Sequence, residues 1–259
     1  KINGQWGFVS GCHQCDWFFG TTIVMQDGKP MMINETMPMV RMFLMPVSDV
    51  EILDTWDVAG MRGSGSHDLL GKDVFVPDAR ADSMLGMPTW HKSPIFSFPM
   101  SAKIGYNKVA VALGVARAAL DTVAETAKTK KAFGTPTPIN ELASTQIEIA
   151  KAEAVLSSAR AYVKDSIASV WELVQAGKVP TTEQVAPLRL ACTFGGQAAM
   201  DAVDLAVRLT NTTANRMDCP LERHLRDVRA VAGHFTIGTA LYEPIGKSLL
   251  GMDLPPMAL

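Results

Sequence analysis

Two periodicities divide the chain. Up to about residue 77, short apolar runs at 6–9, 17–25, 40–45, 50–56 and 73–77 alternate with turn residues, the pattern of strands. Asn3-Gly4, between Lys1-Ile2 and the run at 6–9, predicts a tight hairpin turn, and Asp27-Gly28-Lys29-Pro30 closes the second run. Strands at this spacing predict a small antiparallel sandwich or barrel. The first strand of that hairpin has almost no length, so an open sheet edge is expected there. Beyond a passage holding Pro88, Pro94 and Pro99, apolar residues recur at helical spacing over 100–131, 139–175, 182–213 and 220–250. Gly134-Thr135-Pro136, Gly177-Lys178-Val179-Pro180 and Asp218-Cys219-Pro220 interrupt them. Long helices joined by short loops pack as an antiparallel bundle. The expected fold class is therefore α+β: a β-domain over 1–85, a linker over 86–98 and a four-helix bundle over 99–259.

Composition narrows the class of protein. Hydrophobic residues make up 47% of the 259 and charged residues 19%, which excludes a disordered chain, and no apolar run reaches a membrane-spanning length. With 24 basic against 26 acidic side chains there is no field to gather nucleic acid, so neither nucleic acid nor membrane is an expected partner. Four scattered cysteines and a start without signal-peptide character fit a reducing cytoplasm. Length and the change of periodicity favour two domains.

Candidate chemistry is sparse when each motif is taken alone. Cys12-His13-Gln14-Cys15 has the spacing of a zinc knuckle or a redox pair, but no second pair lies nearby to complete four ligands, so turn thiols are the plainer reading and no metal is expected. Gly60-Met61-Arg62-Gly63-Ser64-Gly65-Ser66 can cradle phosphate through backbone N–H groups, or can be a bulged connection between strands. His234 lies seven residues after Asp227, a spacing that places both on one helical face. Lys128, Lys130 and Lys131 end the first long helix, where cations complement the helix dipole or meet a phosphate.

Together the motifs have a familiar order. Asn3-Gly4-x-Trp6-Gly7-Phe8-Val9-Ser10-Gly11, Trp56-x-x-x-Gly60-Met61-Arg62-Gly63-Ser64-Gly65-Ser66 leading to Val74-Phe75-Val76-Pro77, then Phe133-Gly134 with Gln146 beyond, and finally Arg226-Asp227, resemble the acyl-CoA dehydrogenase fold family over nearly the whole chain. The resemblance implies the middle and C-terminal domains of that fold, with an N-terminal helical domain expected before Lys1. One dehydrogenase branch carries its catalytic glutamate eight residues after the Arg-Asp aspartate, where this chain has Phe235; the other position falls at Tyr106-Asn107, again without a carboxylate. His234 instead resembles the histidine of two-component flavin monooxygenases, the group that holds phenol hydroxylases and dibenzothiophene monooxygenases.

That branch implies an oxygenase component fed with reduced flavin by a separate flavin reductase. The flavin reacts with O2 at C4a, and the resulting hydroperoxide passes one oxygen atom to an aromatic or heteroaromatic substrate. By the same resemblance Ser10 lies beside flavin N5, Phe8 walls the ring, and Trp56, Lys130, Phe133 and Gln146 contact the cofactor. His234 then handles a proton, as an imidazole titrating near neutrality can. Lys130 replaces an arginine that grips flavin phosphate, keeping the charge and losing the bidentate fork. Asn211-Thr212 stand where dehydrogenases have a Gly-Gly pair near the adenosine half, so reduced FMN is expected ahead of FAD. The family also implies a homotetramer. An acyl-CoA dehydrogenase and a non-catalytic module of the same fold are the rival readings.

Overall fold

The computed structural model describes residues 1–35, 37–83 and 91–254. The chain forms two compact units, one of Lys1–Val58 with Arg62–His91 and one of Ala59–Met61 with Lys92–Leu259. Residues 84–90, which hold Pro88 and the start of the expected 86–98 linker, lie outside the described residues, as do 255–259 at the end of the expected bundle.

The first unit contains β1 (Ile2–Val9), β2 (Trp17–Ile23), β3 (Met25–Gln26), β4 (Lys29–Pro30), β5 (Val40–Pro46), β6 (Glu51–Leu53), β7 (His67–Val74) and β8 (Ala81–Ser83). They form two three-stranded antiparallel sheets, β1-β7-β6 and β2-β5-β8, and the small hairpin β3-β4. Trp6 of the first sheet joins them: its ring meets Phe18 and Phe43 of the second edge-on at 5.3 and 5.4 Å, and its Nε1 donates to the Thr21 carbonyl at 2.9 Å. Gly20 is required beneath those rings, because a Cβ there would lie 2.7 Å from both Phe18 and Phe43. This is a small sandwich around one apolar core.

Two expectations need correction here. Asn3-Gly4 makes no hairpin; it lies inside β1. Asn3 Oδ1 instead accepts the backbone N–H of Asp73 at 2.8 Å, holding an irregularity in β7 where Asp73 has φ 52°, and Gly4 leaves room for the Trp6 ring. The strand expected over 73–77 runs earlier, as His67–Val74, because Leu69 and Val74 supply the inward side chains. β1 is one of the two edge strands of its sheet among the described strands, β6 being the other.

The second unit contains α1 (Pro94–Ser97), α2 (Met100–Ala127), α3 (Ala143–Gln175), α4 (Thr182–Thr210), α5 (Pro220–Ala232) and α6 (Tyr242–Leu249). Small side chains make the close approaches: a Cβ on Gly195 of α4 would fall 2.6 Å from Val109 of α2. Thr181 and Gln184 form a reciprocal capping box at the start of α4, and Gly177 with φ 73° ends α3 in a left-handed cap. The long helix expected over 220–250 is broken between Ala232 and Tyr242. His234 Nδ1 takes the Thr236 N–H at 3.2 Å, a donor that a continuing helix would aim at the Ala232 carbonyl, and glycines flank the segment at 233 and 238. The expected common helical face of Asp227 and His234 is thereby lost. The first helix also ends at Ala127, so Lys130 and Lys131 lie beyond its last turn, and the expected linker contains the single turn of α1.

Candidate functional site

In the β-unit the site residues gather at an interruption of the edge strand. Trp6 pairs with Leu69 and Val9 with His67, so β1 carries one residue more than β7 across this stretch. Phe8 absorbs the irregularity with φ 58°, a conformation bulky side chains rarely adopt, and it stands 79% exposed. Its ring meets half-buried Trp56 edge-on at 6.1 Å. Ser10 follows on the exposed end of the bulge. The backbone N–H of Gly11 donates to the Ser64 carbonyl at 2.8 Å, which pins the Arg62–Ser64 turn beside it. Three hydroxyls therefore meet: Ser10 Oγ lies 2.8 Å from Ser66 Oγ, and Ser66 Oγ 2.8 Å from Ser64 Oγ.

Nearby, His67 Nδ1 accepts the Trp56 backbone N–H at 3.2 Å and lies 3.3 Å from Asp54 Oδ1, so it fixes the main chain at the tryptophan. Cys12 is buried with its thiol directed at the Gly65 carbonyl, while Cys15 is exposed. No group of three His, Cys, Asp or Glu side chains that could hold a metal occurs among the described residues.

In the helical unit the break after α5 presents His234. Its Nδ1 lies 2.8 Å from Thr236 Oγ1 and receives the Thr236 N–H. A backbone N–H can only donate, so Nδ1 is an acceptor and the neutral ring carries its proton on Nε2. Burial, with Lys108 adding to it, holds this imidazole below its usual pKa, which keeps it neutral at neutral pH. Phe235 stacks on it with ring centroids 4.7 Å apart. Behind the break, buried Arg189 of α4 donates to the Ser101 carbonyl at 2.7 Å and fills the space where a Cβ on Gly105 would stand, at 2.6 Å from that position. Asp227 is occupied elsewhere: its Oδ1 accepts the Met61 N–H at 2.6 Å. Arg226 holds the same short segment through the Ala59 carbonyl and pairs with Glu222 at 2.5 Å. Gly60 has no alternative there, since a Cβ would come within 2.1 Å of the Arg226 carbonyl oxygen.

The remaining residues named from sequence are spread over the unit. Lys130 Nζ donates to Thr213 Oγ1 at 2.6 Å, just beyond Asn211-Thr212, where Asn211 has a φ of 50°. Gln146 Nε2 donates to the Asn140 carbonyl at 3.0 Å, and Phe133 is fully exposed. Tyr106 lines a cleft of about 400 Å³ between α2 and α3 together with Leu113, Leu156 and Arg117. Sequence reasoning missed Thr236 and the pairing of Ser66 with Ser10. A hydroxyl two residues after a histidine and the serines of the Gly-Ser repeat were the available signals.

The family model described as acyl-CoA dehydrogenase, C-terminal domain, matches residues 106–238, a little over half of the chain. Indole-3-acetate monooxygenase of Pseudomonas putida is 32% identical over 256 residues, covering 99% of this chain and 64% of that protein. The flavin-dependent monooxygenase oxygenase subunit HsaA of Mycobacterium tuberculosis is 27% identical over 241 residues, covering 90% of this chain and 59% of that protein. Among solved structures, 3-HSA hydroxylase from Rhodococcus sp. RHA1 has a TM-score of 0.87 at 25% identity, covering 99% of this chain and 66% of that one. The chain thus spans just under two thirds of the length of these relatives.

Proposed function

We propose that this chain, which belongs to the acyl-CoA dehydrogenase C-terminal domain family, is the flavin-contacting part of the oxygenase component of a two-component flavin-dependent monooxygenase acting on a small aromatic or heteroaromatic substrate. The observation that carries the reading is the imidazole at 234, neutral and with its proton on Nε2, beside Phe235, the position at which the resemblance puts a dehydrogenase's carboxylate. A carboxylate base removes a proton, whereas this ring, protonated on Nε2, has one to donate. The names of the relatives, an indole-3-acetate monooxygenase and a 3-HSA hydroxylase, support the same class.

The residues fit a reduced flavin. Phe8 and Trp56 offer aromatic surface next to the exposed Ser10 hydroxyl, and Thr213 takes only one of the three donors of the Lys130 ammonium. When bound, reduced flavin supplies the electrons and the carbon at which O2 is activated. In this reading Ser10 would hydrogen-bond the flavin ring at N5, with Phe8 and Trp56 as its aromatic contacts, while Lys130 would be the group of the helical unit suited to a flavin phosphate, with Phe133 and Gln146 as further candidate cofactor contacts. His234 would donate its Nε2 proton in a hydrogen bond to the reacting oxygen or to a substrate hydroxyl. FMN is favoured over FAD because Lys130 is a point charge without the arginine fork and because Asn211-Thr212 add side chains in place of Gly-Gly. A separate flavin reductase, a homotetramer and a cytoplasmic setting complete the proposal; no helix among the described residues is long and apolar enough to cross a membrane.

Anaerobic titration of the intact protein with reduced FMN and reduced FAD, followed by air and a panel of phenols and indoles, tests the reading. Oxygenated product and FMN affinity at least equal to that for FAD are expected. Anaerobic bleaching of oxidised flavin by an acyl-CoA would make the protein a dehydrogenase, and failure to bind either redox form would make it a non-catalytic module.

A further inference from the structure

Ser66 belongs to the Gly-Ser segment that suggested a phosphate cradle, yet its side chain does something else. It is 5% exposed and sits between two hydroxyls, Ser10 Oγ and Ser64 Oγ, each at 2.8 Å. A hydroxyl has one proton to give and two lone pairs to accept with. Placed between two others, Ser66 can donate to one while accepting from the other, and the three then align head to tail in one of two directions. If Ser10 donates inward, its outward face presents a lone pair. If Ser66 donates to Ser10 instead, Ser10 has its own proton free to point outward.

We propose that Ser66 is a positioning residue that lets Ser10 accept a hydrogen bond from reduced flavin and donate one to oxidised flavin. The inference rests on the flavin reading of Ser10 given above. Reduced flavin carries a proton on N5 and oxidised flavin a lone pair, so the two redox forms require opposite faces of the same hydroxyl. Passing from one alignment to the other needs only rotation about the Cβ–Oγ bonds, and every proton stays on its own oxygen. The backbone bond from Gly11 N to Ser64 O holds the two segments in register, so the relay is set before any ligand arrives. Because Ser66 is buried, water does not replace it readily, whereas an unsupported Ser10 hydroxyl turns toward solvent.

A double-mutant cycle on the intact protein decides the matter, with dissociation constants for oxidised and for anaerobically reduced FMN as the readout. Ser66→Ala is expected to weaken binding of both forms roughly three- to ten-fold, the loss of one net hydrogen bond. In a Ser10→Ala background the same substitution should change neither constant. Ser66→Thr, which keeps the hydroxyl, should stay within about two-fold of the parent, and Ser66→Cys, close to serine in shape but a poor hydrogen-bonding group, should behave like Ser66→Ala and serves in its place if the alanine variant does not fold. Equal losses from Ser66→Ala with and without Ser10 would overturn the proposal and leave Ser66 as part of the β-unit's packing. No change of either constant in Ser10→Ala alone would defeat the flavin reading of Ser10 itself, and the relay with it.

Discussion

The bulge at Gly7-Phe8 and the break at 233–241 both stop a regular hydrogen-bond ladder next to a residue assigned chemistry, but they do so in different ways. The strand is interrupted by steric strain: Phe8 sits at φ 58° with its ring mostly in solvent. No residue of the helix break has a positive φ among the described residues, and its geometry is held by the Thr236 N–H and hydroxyl on His234 Nδ1. A strained position persists only because its surroundings impose it, while a locally bonded one is stable in itself. Phe8 is therefore the residue whose place demands a functional explanation, and His234 the one whose orientation and tautomer are already prepared.

If the break exists to present an Nε2 proton, removing the ring carries the largest effect. His234→Ala should bind flavin with near-parent affinity while product formation falls by roughly a hundred- to ten-thousand-fold, and hydrogen peroxide should account for more of the oxygen consumed. Thr236→Val, which keeps the backbone N–H but loses the hydroxyl, should fall well short of that. Equal coupling of oxygen to product in His234→Ala and the parent would return the histidine to a purely structural role. Phe235→Glu is not expected to restore hydroxylation to His234→Ala, since a carboxylate base removes a different proton.

At the bulge the expected effect is smaller and of opposite sign in two measurements. Phe8→Gly should raise stability by about 1 kcal/mol, because glycine accepts a left-handed φ and an exposed ring forfeits little burial. Flavin affinity should drop at the same time. Thermal unfolding and flavin titration on one preparation check both; a rise in stability with unchanged affinity would remove Phe8 from the site.

The smallest expected effect is a pH dependence that neither interruption needs. Burial, and then Arg223, hold His224 of α5 below the usual imidazole pKa, with Asp227 opposing. Since the folded pKa is the lower, the unfolded chain binds the proton more readily. The stability associated with His224 is complete above about pH 6.5, the unfolded value, and is lost as pH falls toward the folded one. His234 is depressed in the same direction and contributes to the same slope. Unfolding scans between pH 8 and pH 5 should show a shallower acid-side decline in His224→Leu than in the parent, and parallel curves would place the dependence on other groups.

Several features were legible from residue order alone. Runs of Val, Phe and Trp punctuated by Gly and Asn can only half-bury themselves as strands, and long Ala-rich stretches with helical spacing must pack as helices, so the α+β order follows from local periodicity. Gly177 and the Asp27-Gly28 turn end their elements through backbone preferences that no distant contact alters. Asn3-Gly4 shows where that reasoning stops. Its preference for a turn is worth less than the bonds Asn3 makes to Asp73, seventy residues away, and the room Gly4 leaves for Trp6. The fourth helix failed for a similar reason, since periodicity cannot register a histidine that captures the N–H of Thr236.

The identities of Ser10 and His234 came from the order of motifs, but their partners did not. Ser10 meets Ser66 across 56 residues of chain, and Lys130 meets Thr213 across 83. Hydrogen bonds of that span depend on strand register and helix packing, which are set by the burial of Trp6, Phe18 and Phe43 in one unit and of the small-residue faces of α2 and α4 in the other. Local propensity acts over a few residues and names the elements. The direction in which a single hydroxyl or imidazole proton points is decided by whatever the packed core brings within three ångströms of it.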